Sequence, residues 1–183
     1  MLQASISNIQ ISDLNDIKSI SDSCFGSDYI TLNQLNKNSL KKGIFSKTTI
    51  NNKPIGFCLA YIENYSNSEH EFYVENSSNE KYAIIKTLAV TSQFQRKGYG
   101  IKLLQSVINK LNDQENITDI YFQSWVESKS EGFTKLLKQE GFKEVKIYRK
   151  YWYLDSLQQN YRCLKCGNPP CNCSMRLFKL TQT

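Results

Sequence analysis

The sequence predicts an α/β fold (α+β) organised around one strand–turn–helix segment over residues 83–111. The first part of this segment, A-I-I-K-T-L-A-V, is a short apolar run rich in Ile, which favours a buried strand. The last part carries apolar residues at helical spacing on one face: Leu104, Val107, Ile108 and Leu111. Other strand-like and helix-like patterns lie on both sides of this segment, so we expect strands and helices to pack around a common core.

A turn with two basic residues and two glycines, Q-R-K-G-Y-G, connects that strand to that helix. The start of a helix presents unpaired backbone N–H groups and the positive end of the helix dipole, so it attracts phosphate. Gly98 and Gly100 let the backbone close around an anion, and Arg96 and Lys97 add positive charge. These residues therefore predict an anion-binding turn.

In this context, Q-R-K-G-Y-G resembles the Q/R-x-x-G-x-G/A signature of the GNAT superfamily of acetyl-CoA-dependent N-acyltransferases. The resemblance extends over most of the chain, from Ile6 to Leu180. It implies a GNAT fold, which is a mixed, mostly antiparallel sheet of about seven strands with helices on both faces. Since no internal repeat or low-complexity segment marks a second domain, we expect a single N-acetyltransferase domain over residues 1–183, with a Cys-rich hairpin inserted at residues 161–174.

The resemblance further implies where acetyl-CoA binds, because in the family the cofactor lies where the fourth and fifth strands splay apart. Backbone groups of Leu88, Ala89 and Val90 would hold the thioester and the pantetheine arm. A backbone N–H such as that of Val90 would stabilise the oxyanion that forms when an amine attacks. The pyrophosphate would bind the amides of one continuous segment: Gln95, Arg96, Lys97, Gly98, Tyr99 and Gly100.

Direct acetyl transfer needs a base that deprotonates the acceptor ammonium, but it needs no covalent enzyme intermediate. Relatives that acetylate protein N-termini carry a glutamate in the fifth strand, at a position that falls near Trp125. Glu127 lies on the same face of that strand and is the candidate base, the alternative being a surface carboxylate. The tyrosine that often serves as the general acid in the family falls at Leu137 in this sequence. The general acid would therefore be solvent or a tyrosine near the last hairpin.

Four cysteines form a C-x2-C-x4-C-x-C cluster: Cys163, Cys166, Cys171 and Cys173. Four thiolates suit tetrahedral zinc, and C-x-x-C followed by glycine is a common half of such a site. The spacing is tighter than in two separated knuckles, so free thiols, a redox role and an iron–sulfur cluster stay open. We predict structural zinc, which would order a wall of tyrosines and Trp152 beside the acceptor cleft.

Shorter patterns predict the N-terminal elements. Residues 6–11 alternate as a strand, and Ser12 offers the N-cap of a helix that buries Ile17 and Ile20. Residues 31–42 predict a second, weaker helix. Strands over 44–50 and 55–63 should form a hairpin, with Cys58 as a small core residue.

Later strands are predicted over residues 117–126, 142–148 and 175–180. A helix between the first two would begin with a capping box at Ser128 and end at Gly141.

Composition limits the functional classes. The net charge of +6 over 183 residues suits an anionic cofactor but falls short of a nucleic-acid-binding face. The sequence shows no signal-peptide pattern and no apolar run of transmembrane length, so we expect a cytoplasmic protein without membrane contact. Monomer and homodimer both stay open.

The sequence therefore predicts transfer of an acetyl group from acetyl-CoA to a primary amine of a small molecule or a protein. The alternative is a non-catalytic acyl-CoA sensor whose zinc hairpin binds a macromolecular partner. The missing glutamate and tyrosine favour the sensor, whereas the preserved glycine signature favours the enzyme.

Overall fold

The computed structural model describes residues 4–36, 38–67, 80–126 and 131–181. These residues form a seven-stranded sheet in the order β1-β2-β3-β4-β5-β7-β6. Its strands are β1 (Ala4–Asn8), β2 (Gly43–Ile50), β3 (Lys53–Asn64), β4 (Lys81–Val90), β5 (Asp119–Trp125), β6 (Lys143–Tyr148) and β7 (Met175–Thr181). Neighbouring strands are antiparallel except β4 and β5, which are parallel. The predicted mixed, mostly antiparallel sheet is confirmed.

In the part of the chain that the structure describes, four α-helices accompany the sheet: α1 (Leu14–Phe25), α2 (Tyr99–Glu115), α3 (Glu131–Gln139) and α4 (Tyr153–Gln159). Alternate residues of β3 belong to different cores, because successive side chains of a strand point to opposite faces. Cys58 and Ala60 share a core with α2, whereas Phe57 and Leu59 share one with α1. Helices therefore cover both faces of the sheet. Within the described ranges, none of the helices is both long and apolar enough to cross a membrane.

The predicted buried face of α2 is confirmed. Its contribution to the stability of the core can be tested by substitution. Leu111 has an exposed fraction of 0%, whereas Leu154 on α4 is 68% exposed. We expect Leu111→Ala to lower the free energy of unfolding by about 2–5 kcal/mol, since it leaves a cavity. Leu154→Ala should change it by less than about 0.5 kcal/mol. Equal losses in urea unfolding would contradict this packing.

The predicted hairpin between β2 and β3 is also confirmed. Its tip is formed by Asn51 and Asn52, whose φ angles are 51° and 62°. Two successive left-handed residues are typical of the tight turns that match the twist of a hairpin, and Asn tolerates them.

The N-terminal helix begins later than predicted. A 3-10 helix over Ile11–Asp13 precedes α1, and its capping box is formed by Gln10 and Asp13 rather than by Ser12. The backbone N–H of Gln10 donates to Asp13 Oδ2 at 2.7 Å. The first strand correspondingly ends at Asn8.

The helix predicted over residues 31–42 is wrong. The described part of this segment contains turns and one 3-10 helix over Ser39–Lys41. Asn36 Oδ1 accepts the backbone N–H groups of Asn38 and Ser39 at 2.9 and 3.0 Å, and Thr31 Oγ1 accepts that of Gln34 at 3.3 Å. Short polar side chains thus satisfy the amides that a helix would use, which favours turns.

The prediction also missed α4, which lies between β6 and the cysteines where only a hairpin was expected. The predicted base, Glu127, and the capping-box start at Ser128 lie outside the described residues.

Candidate active site and cysteine cluster

A gap opens between β4 and β5, because the two strands pair over only part of their length. Residues 83–85 face residues 120–122, while β4 continues to Val90 and β5 to Trp125. On the other side of β4, Ala60 faces Ile85 and Leu59 faces Thr87. Lys86 is therefore the extra residue of a β-bulge at the point where the pairing with β5 stops. Since a bulge bends its strand, it explains the gap beside residues 86–90, which include Leu88, Ala89 and Val90.

The glycine turn lies at the end of β4 that borders this gap. Arg96 and Gly98 have left-handed φ angles of 59° and 83°, and Gly98 is the N-cap of α2. Turns of this kind aim successive backbone N–H groups into an anion-binding concavity. The side-chain amide of Gln95 donates to the carbonyl of Val90 at 2.8 Å and ties the turn to the strand.

The two glycines of this turn have different surroundings. A Cβ at Gly98 would meet nothing within 4 Å, so the space that it faces is open. A Cβ at Gly100 would lie 3.7 Å from a methyl group of Val90, an ordinary contact distance. Gly98 thus faces open space at the start of α2, and the left-handed turn before the helix has the form of a site for the pyrophosphate of coenzyme A.

Polar and aromatic side chains lie beside the gap on the face that α1 covers. Gln123 Nε2 donates to the hydroxyl of Tyr151 at 3.2 Å. Burial raises the pKa of Tyr151 to about 12, although the hydrogen bond from Gln123 acts in the opposite direction. Tyr151 therefore keeps its proton near neutral pH and can donate it, although the raised pKa makes it a weaker acid than a free tyrosine. Nearby, Lys86 Nζ lies 3.6 Å from a carboxylate oxygen of Glu63.

The sequence analysis expected an acidic tyrosine near the last hairpin but missed Gln123. A signal for it existed, because Gln123 and Ser124 interrupt the apolar run of β5 at positions where both are 9% exposed. A buried polar side chain in a strand requires a hydrogen-bonding partner. The described residues do not test the role of Glu127, which stays a prediction.

The four predicted cysteines lie together in the segment between α4 and β7. Their sulfur atoms all lie within 4.8 Å of one another. The Sγ atom of Cys173 is 3.8 Å from that of Cys163 and 3.4 Å from that of Cys166, and 3.9 Å separates Cys166 from Cys171. Zn–S bonds of about 2.3 Å in a tetrahedron imply S···S distances of about 3.8 Å. The cluster therefore has the size of a tetrahedral thiolate site.

Backbone and ring N–H groups surround these sulfurs. The N–H groups of Lys165 and Asn172 donate to Cys163 Sγ and Cys166 Sγ, each at 3.4 Å. Burial raises the pKa of Cys173, and the side chain of Trp125, which packs against the cluster, acts in the opposite direction. Donors of this kind orient and stabilise metal-bound thiolates, so the donor set fits a thiophilic metal.

The strand gap, the glycine turn at its end and the mixed sheet together define an α/β protein with a site for an anionic cofactor. Residues 14–142 match the acetyltransferase (GNAT) family. This match covers more than half of the chain, and the chain belongs to that family.

A curated relative and solved structures extend the comparison. The chain is 32% identical over 68 residues to an N-alpha-acetyltransferase of Sulfurisphaera tokodaii. These 68 residues make up 37% of this chain and only 40% of that relative. Arabidopsis thaliana NAA60 in complex with acetyl-CoA has a similar fold, with a TM-score of 0.74 and 16% identity over 98% of both chains. Arabidopsis thaliana Naa50 in complex with the bisubstrate analogue CoA-Ac-MVNAL is also similar, with a TM-score of 0.62 and 18% identity over 95% of this chain and 97% of that one.

Proposed function

We propose that this protein transfers an acetyl group directly from acetyl-CoA to a primary amine. The observation that carries the proposal is the gap between β4 and β5 that ends at an open glycine turn, in a chain of the GNAT family. Tyr151 and Gln123 supply polar groups beside the gap, which favours a catalytic protein. No observation gives comparable support to the alternative of a non-catalytic acyl-CoA sensor.

Each part of the gap has a chemical role in this proposal. The amides of residues 95–100 bind the pyrophosphate, and backbone groups of Leu88, Ala89 and Val90 align the thioester. The N–H of Val90 stabilises the oxyanion, and fixed donors of this kind supply a large part of the catalysis of acyl transfer. Tyr151, held by Gln123, donates a proton to the departing thiolate. Glu127 is the proposed base that deprotonates the acceptor ammonium.

We propose a protein N-terminal amine as the acceptor, with a small-molecule amine as the alternative. The curated relative is an N-alpha-acetyltransferase, and the Naa50 structure contains a peptide-based bisubstrate analogue. The test measures the release of coenzyme A thiol from acetyl-CoA in the presence of three kinds of acceptor. These are peptides with a free N-terminal amine, the same peptides with an acetylated N-terminus, and polyamines. Turnover with free peptides alone supports the proposed acceptor. Turnover with polyamines alone favours the small-molecule alternative, and no turnover favours the sensor.

The proposed acid leads to a separate prediction. Tyr151→Phe keeps the aromatic ring and removes the hydroxyl, so kcat should fall by about 10²-fold or more, the usual contribution of general acid catalysis. Stabilisation by acetyl-CoA should change little, because the lost hydroxyl would meet only the sulfur of the cofactor, whereas the proposed pyrophosphate contacts at residues 95–100 remain. If kcat, measured as release of coenzyme A thiol, is unchanged, solvent rather than Tyr151 is the general acid.

We also propose that Cys163, Cys166, Cys171 and Cys173 bind one structural zinc ion. Zinc supplies the positive charge that keeps the four thiolates ionised, and it closes the short loop between Cys163 and Cys173. The test is elemental analysis of protein purified without added metal. About one zinc per chain is expected, whereas iron with visible absorption, or reactive thiols without metal, would replace this proposal by the iron–sulfur or redox alternative.

A further inference from the structure

The cysteine segment is hydrogen-bonded to two segments that flank the gap. Residues 25–30 share a core cluster with Ala89 of β4, and the hydroxyl of Tyr151 accepts a hydrogen bond from Gln123 of β5. On one side, the N–H of Leu164 donates to the carbonyl of Phe25 at 3.2 Å, and the N–H of Arg162 donates to that of Ser27 at 3.0 Å. On the other side, the N–H of Tyr151 donates to the carbonyl of Cys173 at 3.0 Å. The cluster thus lies between the segment that follows α1 and the segment that carries the proposed acid.

The contact with the segment after α1 is close enough to require a glycine. Gly26 has a φ angle of 116°, and a Cβ built there would lie 1.8 Å from the carbonyl oxygen of Arg162. Real Cβ atoms do not approach a backbone oxygen so closely, so any larger residue would push the two segments apart. Contact at this distance makes the position of one segment depend on the other.

Aromatic rings continue this contact toward the gap. The rings of Tyr161 and Tyr29 pack edge to face, with centroids 5.3 Å apart. Tyr29 in turn packs against the core cluster that contains Ala89 of β4. Ala89 is one of the residues assigned to the thioester. A continuous set of contacts therefore leads from the cysteine cluster to the reacting end of β4.

We propose that the cysteine cluster is a clasp that positions residues 25–30 against residues 151–152 and so sets the affinity for the acceptor amine. The clasp deepens the proposed acetyltransferase function and rests on it. Its residues act through Tyr29 and Tyr151 and are positioning residues. Loss of the clasp should therefore raise the KM for the acceptor while the binding of acetyl-CoA is unchanged, since the glycine turn lies elsewhere.

The first test opens the clasp without changing a cysteine. Gly26→Ala should raise the acceptor KM by about 10-fold to 100-fold, the effect expected from small displacements in an active site. It should keep its zinc and its stabilisation by acetyl-CoA. The control is Gly141→Ala, which shares the left-handed strain with a φ of 88° but lies only near a Leu180 methyl group, at 3.3 Å. An acceptor KM equal to that of the control would overturn the proposal.

The second test needs no activity and stays decisive if Gly26→Ala folds poorly. Hydrogen exchange of the wild-type amides of Arg162 and Leu164 is measured with zinc bound and after chelation. We expect chelation to speed exchange at both amides and in residues 25–30. Tyr161→Leu should also speed exchange in these residues. Unchanged exchange in residues 25–30 would refute the clasp. If no amine is acetylated, the proposed function fails, whereas the exchange result still decides whether the clasp exists.

Discussion

Gly98→Glu is expected to abolish the stabilisation of the protein by acetyl-CoA and, with it, acetyl transfer. The φ of 83° at Gly98 and the open space that a Cβ would face place the new carboxylate where the pyrophosphate is proposed to bind. At 100 times its Kd, a ligand stabilises the folded state by about 2.7 kcal/mol. For a chain of this length that is an increase in Tm of about 5–10 °C. Thermal unfolding with and without acetyl-CoA measures it.

The matched control for this variant is Gly167→Glu. Gly167 also has a left-handed φ, of 81°, and a Cβ there would also meet nothing within 4 Å. Both variants carry the strain of a side chain at a positive φ, and Gly167→Glu, which lies in the cysteine segment, is also checked for zinc. Only Gly98→Glu should lose the response to acetyl-CoA. A full response in Gly98→Glu would exclude the turn as the phosphate site. No response of the wild-type protein at millimolar acetyl-CoA would exclude the cofactor itself.

The parts of the site that the sequence predicts well are those encoded by neighbouring residues. The end of β4, the glycine turn and the start of α2 are contiguous, so apolar periodicity and two glycines were enough to place them. The four cysteines were likewise recognisable from their spacing. In each case the chemistry depends on backbone or side-chain groups a few residues apart.

The parts that the sequence does not predict depend on contacts between distant segments. The gap at Lys86 results from a register shift between β3 and β4, and periodicity within a single strand does not record such a shift. The packing of Gly26 against Arg162 joins two loops that are far apart in the chain. The false helix over residues 31–42 has a local cause. The leucines of this segment have helical spacing, but the side chains of Asn36 and Thr31 accept the backbone N–H groups and stabilise turns.

Cys173→Ser is expected to cause the largest loss of stability among single substitutions in the cysteine segment. Cys173 is 1% exposed, and its sulfur lies within 3.8 Å of those of Cys163 and Cys166. A serine hydroxyl is a poor zinc ligand, so the variant should lose the metal. Structural zinc contributes about 10–16 kcal/mol in isolated peptides. Because the sheet retains its own core, the loss should be smaller than in those peptides. We expect the free energy of unfolding to fall by about 3 kcal/mol or more, which lowers Tm by about 6–12 °C.

The control is Cys58→Ala, because Cys58 is also a buried cysteine, with an exposed fraction of 0%, but packs in the apolar core under α2. It should lose about 1 kcal/mol, the typical cost of a point mutation, and keep about one zinc per chain. Chelation of the wild-type protein should reproduce the Tm of Cys173→Ser, and chelation of that variant should change nothing further. If Cys173→Ser retained both its metal and the wild-type Tm, the cluster would not be a zinc site. The clasp would then have to depend on the hydrogen bonds of Arg162 and Leu164 alone.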